Sequence, residues 1–344
     1  MKAAIIRTFG GPEVLQIEEV ETPQVQPRHV LIKVLAAGIN RLDHNIREGS
    51  IAPELPFPHI LGADAVGEVV ALGDRVSEVR IGDRVIPVPG FPTDESEYDV
   101  RPAALAPSFT LPGLGSWGTY AQYMHVPVHF VIPDDTGLAP EEVATLPMVL
   151  GTSIRAVKGV GEVKAGDRVL VQAGASGSGS MQIQVAKALG AQVATTVRST
   201  HKADLAGKLG ADLVIDVRNE DLLQSIEKWT NGRGADVVID NLGGDILKQS
   251  IAAVKPQGVV VVYGFASGTE VSFDVRDLFF AQKQLKGSMA SDKEDLVLGL
   301  EWVRTGKIRP VLDRVFPLSQ AAEAHRLIAS NSVAGNLVLL PWAD

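Results

Sequence analysis

Residues 167–191 read DRVLVQAGASGSGSMQIQVAKALGA, and this stretch decides the fold. An apolar run is followed by a loop rich in glycine and serine, then by a helical segment and the start of a second apolar run. Glycines at such a turn let the backbone approach a ligand closely, so amide N–H groups at the helix start can hold a pyrophosphate. In the G-x-G-x-x-G spacing, serine replaces the middle glycine. The pattern predicts a dinucleotide-binding turn made by Gly174, Ser176, Gly177, Ser178 and Gly179.

Downstream of this turn, short Val/Ile-rich runs alternate with helical segments. The runs are AQVATTV, DLVIDV, DVVIDNLG and VVVVYGF. Continuous apolar runs are typical of parallel strands that are covered on both faces. The alternation therefore predicts an α/β fold whose central element is a doubly wound, Rossmann-type parallel sheet.

The amino-terminal part of the chain follows a different rhythm. Short β-rich runs such as KAAIIR, HVLIKVLAAG and VGEVVALG are separated by turns, which predicts a second domain of the β-barrel type. Residues 89–118 are rich in proline, glycine and serine and have no period, so a long loop is predicted there. That loop is either a disordered surface segment or a lid that shapes the substrate site, with Trp117 as its anchor.

Composition restricts the class of protein. A chain of 344 residues is too long for one ordinary core and predicts two domains. The net charge of −9, without a basic stripe, argues against nucleic-acid binding. No apolar run approaches the ~18 residues of a membrane helix, and the first residues become polar too early for a signal peptide. Because cysteine is absent, disulfides and thiolate chemistry are excluded, and a cytoplasmic location is expected.

The end of the second strand of the dinucleotide-binding unit indicates the cofactor. An NAD enzyme places Asp or Glu there to bind the ribose hydroxyls. This chain has Arg198 instead, and Lys202 follows one helical turn later. Fixed positive charge favours a 2′-phosphate, and Arg218, after the next strand, is a further candidate for the same pocket. The sequence therefore predicts NADPH, against the alternative that these are ordinary surface cations.

Motifs along the whole chain carry a family resemblance. They include GINRLD at residues 38–43, VGEVVALGDRV at 66–76, VLVQAGASGSGS at 169–180 and GKIRPVLDRVFPLSQAAEAHRLI at 306–328. The chain resembles the medium-chain dehydrogenase/reductase superfamily, and within it the zinc-independent quinone oxidoreductase branch.

The resemblance implies a domain organisation. A GroES-like catalytic domain is expected from residues 1–127 and 291–344, and a Rossmann domain from residues 128–290, with the active site in the cleft between them. Relatives commonly form homodimers through an edge strand of the Rossmann domain, and residues 271–290 are apolar and β-prone enough to supply that edge.

Zinc-dependent members of the superfamily carry ligands that this chain lacks. They place cysteine where Asn40 stands, Gly-His-Glu where residues 62–64 read GAD, and a third ligand near Met148. Asn, Ala and Met do not make a zinc site, so no metal is predicted. Asn45 stands where related quinone reductases often carry tyrosine, so the motif predicts no phenol. Without a metal, the favoured substrates are acceptors that delocalise the developing charge, namely quinones and α,β-unsaturated carbonyls.

The resemblance also implies roles for individual residues. Asn40 is expected to be a polar contact to the nicotinamide or the substrate oxygen, Asp43 to order the pocket through hydrogen bonds, and Thr152 to contact the nicotinamide. Further cofactor contacts are expected from Asn241, Gly264 and Phe265. Two alternatives stay open: an alcohol or aldehyde dehydrogenase with an unknown substrate, and a protein that binds NADPH without turnover.

Overall fold

A computed structural model describes residues 1–343, and the chain divides into two compact units. The first unit consists of Met1–Gly151, Ser291–Thr305 and Arg309–Asp344, and the second of Thr152–Ala290 and Gly306–Ile308. Among the described residues, none of the helices combines the length and the apolar composition that spanning a bilayer requires.

The first unit starts with strands and short helices in the order expected from its β-rich runs. These are β1 (Lys2–Ile6), β2 (Gln16–Glu19), β3 (His29–Ile39), α1 (Arg41–Arg47), β4 (His59–Ile60), β5 (Asp64–Leu72), β6 (Arg84–Pro87), β7 (Phe91–Pro92), β8 (Phe109–Thr110), β9 (Tyr123–Pro127), β10 (Val131–Pro133), α2 (Pro140–Val143) and α3 (Pro147–Ser153). The chain enters the second unit within α3, which continues as a π-helical segment, Ile154–Val160.

The second unit alternates strands and helices. Its elements are β11 (Arg168–Val171), α4 (Gly177–Ala188), β12 (Gln192–Val197), α5 (Thr200–Lys208), β13 (Leu213–Asp216), α6 (Leu222–Thr230), β14 (Ala235–Asp240), α7 (Gly244–Ala253), β15 (Val254–Val262), α8 (Val275–Phe279) and β16 (Gln284–Gly287). The strands are parallel in the order β13-β12-β11-β14-β15-β16. The chain reverses its direction of progress between β11 and β14, and ligands bind at the carboxyl ends of strands beside such a point. The predicted Rossmann-type sheet is confirmed.

The last part of the chain returns to the first unit. It contains α9 (Lys293–Arg304), β17 (Leu312–Pro317), α10 (Ala321–Ala329) and β18 (Asn336–Leu340). β18 pairs antiparallel with β3, and β17 pairs with β18, so the sheet order is β10-β6-β5-β3-β18-β17, with β9 also on β3. Because β18 lies beside β3, the core of this unit requires both ends of the chain.

Residues 128–151 require a correction, because the sequence placed them in the Rossmann domain. β10 pairs antiparallel with β6, and α2 packs against β3. The packing is close, since a Cβ on Gly38 would overlap the carbonyl oxygen of Ala144. These pairings join segments far apart in the chain, which local periodicity does not reveal. The boundary predicted after residue 127 therefore moves to Gly151.

Residues 89–118, predicted to form an aperiodic loop, contain short regular elements. β7 pairs with β8, and 3₁₀ turns lie between the two strands. The backbone N–H of Ala103 donates to Oδ1 of Asp292, which precedes α9, at 2.6 Å. Trp117 donates from Nε1 to the carbonyl of Pro58 at 3.3 Å. The segment thus has defined contacts within the first unit, in place of the disordered alternative, and its role as a lid stays a prediction.

Candidate active site

Asn40 lies where β3 ends and α1 begins. Its backbone N–H donates to Oδ2 of Asp43, the third residue of the helix, at 2.8 Å. An acidic side chain at this position pairs an amide that a helix start would otherwise leave unsatisfied. Asp43 is 0% exposed and Asn40 only 9%. Asp43 therefore orders the start of α1 through this hydrogen bond, and its role in ordering the pocket stays a prediction.

Asp64, the first residue of β5, joins two segments to this site. Nδ2 of Asn40 donates to its Oδ2 at 2.9 Å, and the backbone N–H of Met148 donates to its Oδ1 at 2.8 Å. The positions at which zinc-dependent relatives carry ligands are thus neighbours in this structure. Both groups that face Asp64 are N–H donors and Ala63 has no ligand atom, so these residues do not fit a zinc ion. Within residues 1–343, no group of three or more His, Cys, Asp or Glu side chains is arranged to bind a metal.

Two buried carboxyl groups therefore flank Asn40, and their pKa values differ from those of ordinary aspartates. Burial raises the pKa of Asp64 to about 7, aided by the nearby charge of Asp43 and opposed by the hydrogen bond from Asn40. Burial also raises the pKa of Asp43 to about 6, against the hydrogen bonds from Asn40 and Tyr120. Both carboxyl groups therefore keep a proton to higher pH than an ordinary aspartate does.

A chain of hydrogen bonds behind Asp43 was missed by the sequence analysis. The hydroxyl of Tyr120 lies 2.9 Å from Oδ2 of Asp43 and 3.2 Å from Nε2 of His325. Arg47 donates from Nε to Nδ1 of His325 at 3.2 Å. Because a guanidinium only donates, Nδ1 holds the lone pair and Nε2 the proton. His325 therefore donates to Tyr120, and Tyr120 donates to Asp43.

Burial keeps this chain in one protonation state. It lowers the pKa of His325 to about 3, with the charge of Arg47 adding to the effect, so the imidazole is neutral. Burial and the charge of Asp43 raise the pKa of Tyr120, so the phenol keeps its proton. A phenol therefore lies beside Asp43, although position 45 holds asparagine. In the sequence, the only signal for this chain of hydrogen bonds is the family motif at residues 306–328, which contains His325.

The glycine-rich turn in the second unit has the geometry that its sequence predicts. Oγ of Ser176 accepts from the backbone N–H of Gly179 at 3.1 Å and caps α4. A Cβ on Gly174 would overlap the hydroxyl of Thr195, and one on Gly179 would overlap the carbonyl of Ala173. At these two positions a side chain would collide with neighbouring atoms, and the turn leads directly into a twelve-residue helix, whose amino-terminal end favours anions. The turn therefore fits a pyrophosphate.

Three other residues predicted to contact the cofactor lie beyond the carboxyl ends of neighbouring strands, and a fourth, Thr152, lies in a helix. Asn241 follows β14, and its Oδ1 is buried without a hydrogen-bond partner among the described residues. Gly264 follows β15, where a Cβ would approach the carbonyl oxygen of Asn241 to 2.7 Å. Phe265 is 41% exposed. Thr152 is largely buried in α3. The turn, Asn241, Gly264 and Phe265 thus share one edge of the sheet.

The three cations predicted to bind a 2′-phosphate have different surroundings. Arg198 follows β12, is exposed, and makes no side-chain hydrogen bond or ion pair with another residue of the described chain. Lys202 lies in the first turn of α5. Arg218 is different, because it donates to both carboxylate oxygens of Asp216, at 2.9 and 2.5 Å. Its hydrogen bonds lower the pKa of Asp216 to about 2. The charge of Arg218 is thus already balanced within the chain, and its contact with the 2′-phosphate stays a prediction.

Two family models and several known proteins match this chain. A family model described as the alcohol dehydrogenase GroES-like domain matches residues 26–138, and one described as a zinc-binding dehydrogenase matches residues 177–305. The chain is 31% identical to a quinone oxidoreductase of Pseudomonas aeruginosa, with 97% of each chain covered. The chain belongs to the medium-chain dehydrogenase/reductase superfamily. The resemblance noted in the sequence is confirmed, and the protein is an oxidoreductase that uses a nicotinamide cofactor.

Other relatives in the superfamily differ in the reactions that their names describe. A 2-haloacrylate reductase of Burkholderia is 30% identical, with 99% of each chain covered. Among solved structures, an NAD-dependent alcohol dehydrogenase superimposes with a TM-score of 0.94 at 35% identity, with 99% of each chain covered. A crotonyl-CoA carboxylase/reductase in complex with NADP has a TM-score of 0.87 at 27% identity, covering 99% of this chain and 94% of that one. The segment matched by the zinc-binding dehydrogenase model, residues 177–305, contains none of the positions around Asn40 discussed above.

Proposed function

We propose that the protein is a zinc-independent reductase that transfers hydride from NADPH to quinones and α,β-unsaturated carbonyls. The observation that carries this proposal is the polar site around Asn40, in which two buried carboxyls hold an amide and the residues do not fit a zinc ion. A bound reduced nicotinamide supplies the hydride. The turn at residues 174–179 and Asn241 are the groups of this chain that would hold it.

The role proposed for Asn40 is to donate a hydrogen bond to the substrate oxygen. An amide nitrogen carries two protons, and Asp64 takes only one of them. A donor that is already oriented stabilises negative charge as it develops on an oxygen, without reorganising at that moment. Asp43 and Asp64 are positioning residues, because they fix the backbone and the side chain of Asn40. One neutral donor suffices for an acceptor that delocalises its charge, but not for a full alkoxide.

The names of relatives support the same substrate class. Quinone, 2-haloacrylate and crotonyl-CoA each contain a carbon–carbon double bond conjugated to a carbonyl group. The similarity to an alcohol dehydrogenase favours the alternative reaction. That reaction requires a strong electrophile, such as the metal of the zinc enzymes, to stabilise the alkoxide. Asn40, Ala63 and Met148 do not provide one, which is why reduction of conjugated acceptors is preferred.

Four substrate classes test the proposal. With NADPH as donor, we expect 1,4-benzoquinone to react fastest, simple enones more slowly, and saturated ketones hardly at all; primary alcohols with NADP⁺ should be equally inert. A Lewis acid is worth several kcal/mol, so a gap on the order of 10²-fold or more is expected between quinones and ketones. The measurement is the steady-state kcat/KM for each class. Ethanol or acetone turning over as fast as benzoquinone would contradict the mechanism, and binding of NADPH without turnover of any acceptor would favour the non-catalytic alternative.

The preference for NADPH over NADH is proposed on the exposed, unpaired side chain of Arg198. Replacing Arg198 by aspartate should shift the ratio of the two cofactors' kcat/KM values by about tenfold or more, since a charge-assisted hydrogen bond contributes roughly 1.5–3 kcal/mol. Arg218→Ala is the matched control, because Arg218 follows the adjacent strand but is already paired with Asp216. An unchanged ratio in Arg198→Asp, or a larger change in Arg218→Ala, would place the 2′-phosphate elsewhere.

We also propose a homodimer formed through the edge of the second unit. β16 is the last strand of the sheet, and residues 271–290 around it expose large apolar side chains. Those at least 41% exposed are Val275, Phe279, Phe280, Leu285 and Met289. An apolar edge of this kind usually marks an interface. The cytoplasmic location expected from the composition stays a prediction.

A further inference from the structure

A second buried polar network lies beneath the glycine-rich turn of the second unit. Gln172, the first residue after β11, is 1% exposed. Its Oε1 accepts from the hydroxyl of Thr196 on β12 at 2.8 Å, and its Nε2 donates to the hydroxyl of Ser250 on α7 at 3.0 Å. Ser250 donates to Oδ2 of Asp240 at 2.6 Å. One glutamine side chain thus connects β12, β11, β14 and α7.

Each end of this network is hydrogen-bonded to a backbone segment that contains predicted cofactor contacts. At one end, the hydroxyl of Thr196 accepts from the backbone N–H of Ala173 at 2.9 Å, directly before Gly174. Ala173 has a φ of +54°, a conformation that costs energy for a residue with a Cβ. A hydrogen bond to its amide therefore stabilises a backbone that the turn requires.

At the other end, Asp240 holds the loop that follows β14. Its Oδ1 accepts from the backbone N–H groups of Leu242 and Gly243, at 2.8 and 2.9 Å. Asn241, with its buried and unpartnered Oδ1, lies between Asp240 and these tethered residues. From Ala173 through Thr196, Gln172 and Ser250 to Asp240, the hydrogen bonds follow one another without two donors meeting. The amides of Leu242 and Gly243 donate to Asp240 from the other side.

We propose that Gln172 is a positioning residue that locks the pyrophosphate turn to the Asn241 loop, so that both are arranged for the cofactor before it binds. The inference rests on the cofactor binding of the proposed function. Gln172 does not reach the cofactor in this proposal; it acts through the amide of Ala173 on one side and through Asp240 on the other. Pre-organisation of this kind improves affinity because the ordering of loops is no longer a cost of binding.

The test is the dissociation constant of NADPH for the full chain, measured by calorimetry. Gln172→Leu removes both side-chain hydrogen bonds at similar volume and leaves two buried hydroxyls without their partner, so Kd should rise on the order of tenfold. The kcat for benzoquinone at saturating NADPH should change little, because the effect is on the binding of the cofactor. Thr196→Val should weaken binding as well, and Thr196→Ser, which keeps the hydroxyl, should restore it.

Thr230→Val is the matched control. Thr230 is also a buried threonine of the second unit whose hydroxyl accepts a backbone N–H, from Gly234 at 2.9 Å, but it lies at the end of α6. We expect it to lower the Tm without changing the Kd for NADPH. If Gln172→Leu or Thr196→Val lowers the Tm as Thr230→Val does and leaves the Kd for NADPH unchanged, the network is structural only and the inference is overturned. If the wild-type chain binds neither NADPH nor NADH, the proposed cofactor itself is wrong.

Discussion

Replacement of Asn40 by alanine is expected to lower kcat for quinone reduction by about 10²–10³-fold, the usual effect of removing one pre-oriented donor to a developing oxyanion. The Kd for NADPH should stay within about twofold, because the predicted phosphate and ribose contacts belong to the second unit. Steady-state rates with benzoquinone and an NADPH titration, both on the same preparation, measure the two quantities.

Gln122→Ala serves as the control for this variant. Gln122 is an amide side chain of the same unit, but it bonds only the backbone of Lys2 and of Pro341. Its loss should leave kcat unchanged. If Asn40→Ala weakens NADPH binding and keeps kcat at saturation, Asn40 contacts the cofactor and not the acceptor. Unchanged values of both quantities would remove Asn40 from the site.

Replacement of Asp64 by asparagine should change how the stability of the protein depends on pH. The folded-state pKa of Asp64 is raised to about 7 from the ordinary 3.8, so the folded chain holds this proton more tightly than the unfolded chain. Its stabilising contribution is present below pH 4 and is lost as the pH rises through 7. Between pH 5 and pH 8 the wild type should therefore lose about 2–3 kcal/mol of unfolding free energy relative to Asp64→Asn, which has no proton to lose.

Urea denaturation of both proteins at pH 5, 6, 7 and 8 measures this difference. Asp43 is present in both chains, but its charge contributes to the raised pKa of Asp64, so the difference reports on Asp64 together with its coupling to Asp43. A difference that is constant with pH would show that Asp64 is ionised throughout this range. A difference that changes in the opposite direction would mean that its folded-state pKa lies below the ordinary value.

Local sequence was sufficient for the dinucleotide-binding turn. At positions 174 and 179 the turn has no room for a side chain, and the glycines at these positions can be read directly from the sequence. The same holds for the αβ alternation, because strand and helix periods are properties of short windows. It holds in part for the cations: the positions of Arg198 and Arg218 after their strands were predicted, but only the structure shows that Asp216 already pairs with Arg218.

By itself, then, the sequence determined the Rossmann-type unit, the superfamily and the lack of zinc ligands, since each depends on residue types at close or fixed spacing. Tertiary structure alone decided what surrounds Asn40. Asp64 reaches it because β5 pairs with β3, and Tyr120 and His325 meet behind Asp43 although they are 205 residues apart. It also decided that residues 128–151 belong with the first unit, through the pairing of β10 with β6. The physical reason is that strand pairing and helix packing bring together segments that are far apart in the chain. They thereby decide which partner each buried polar group has, and no local period in the sequence records these contacts.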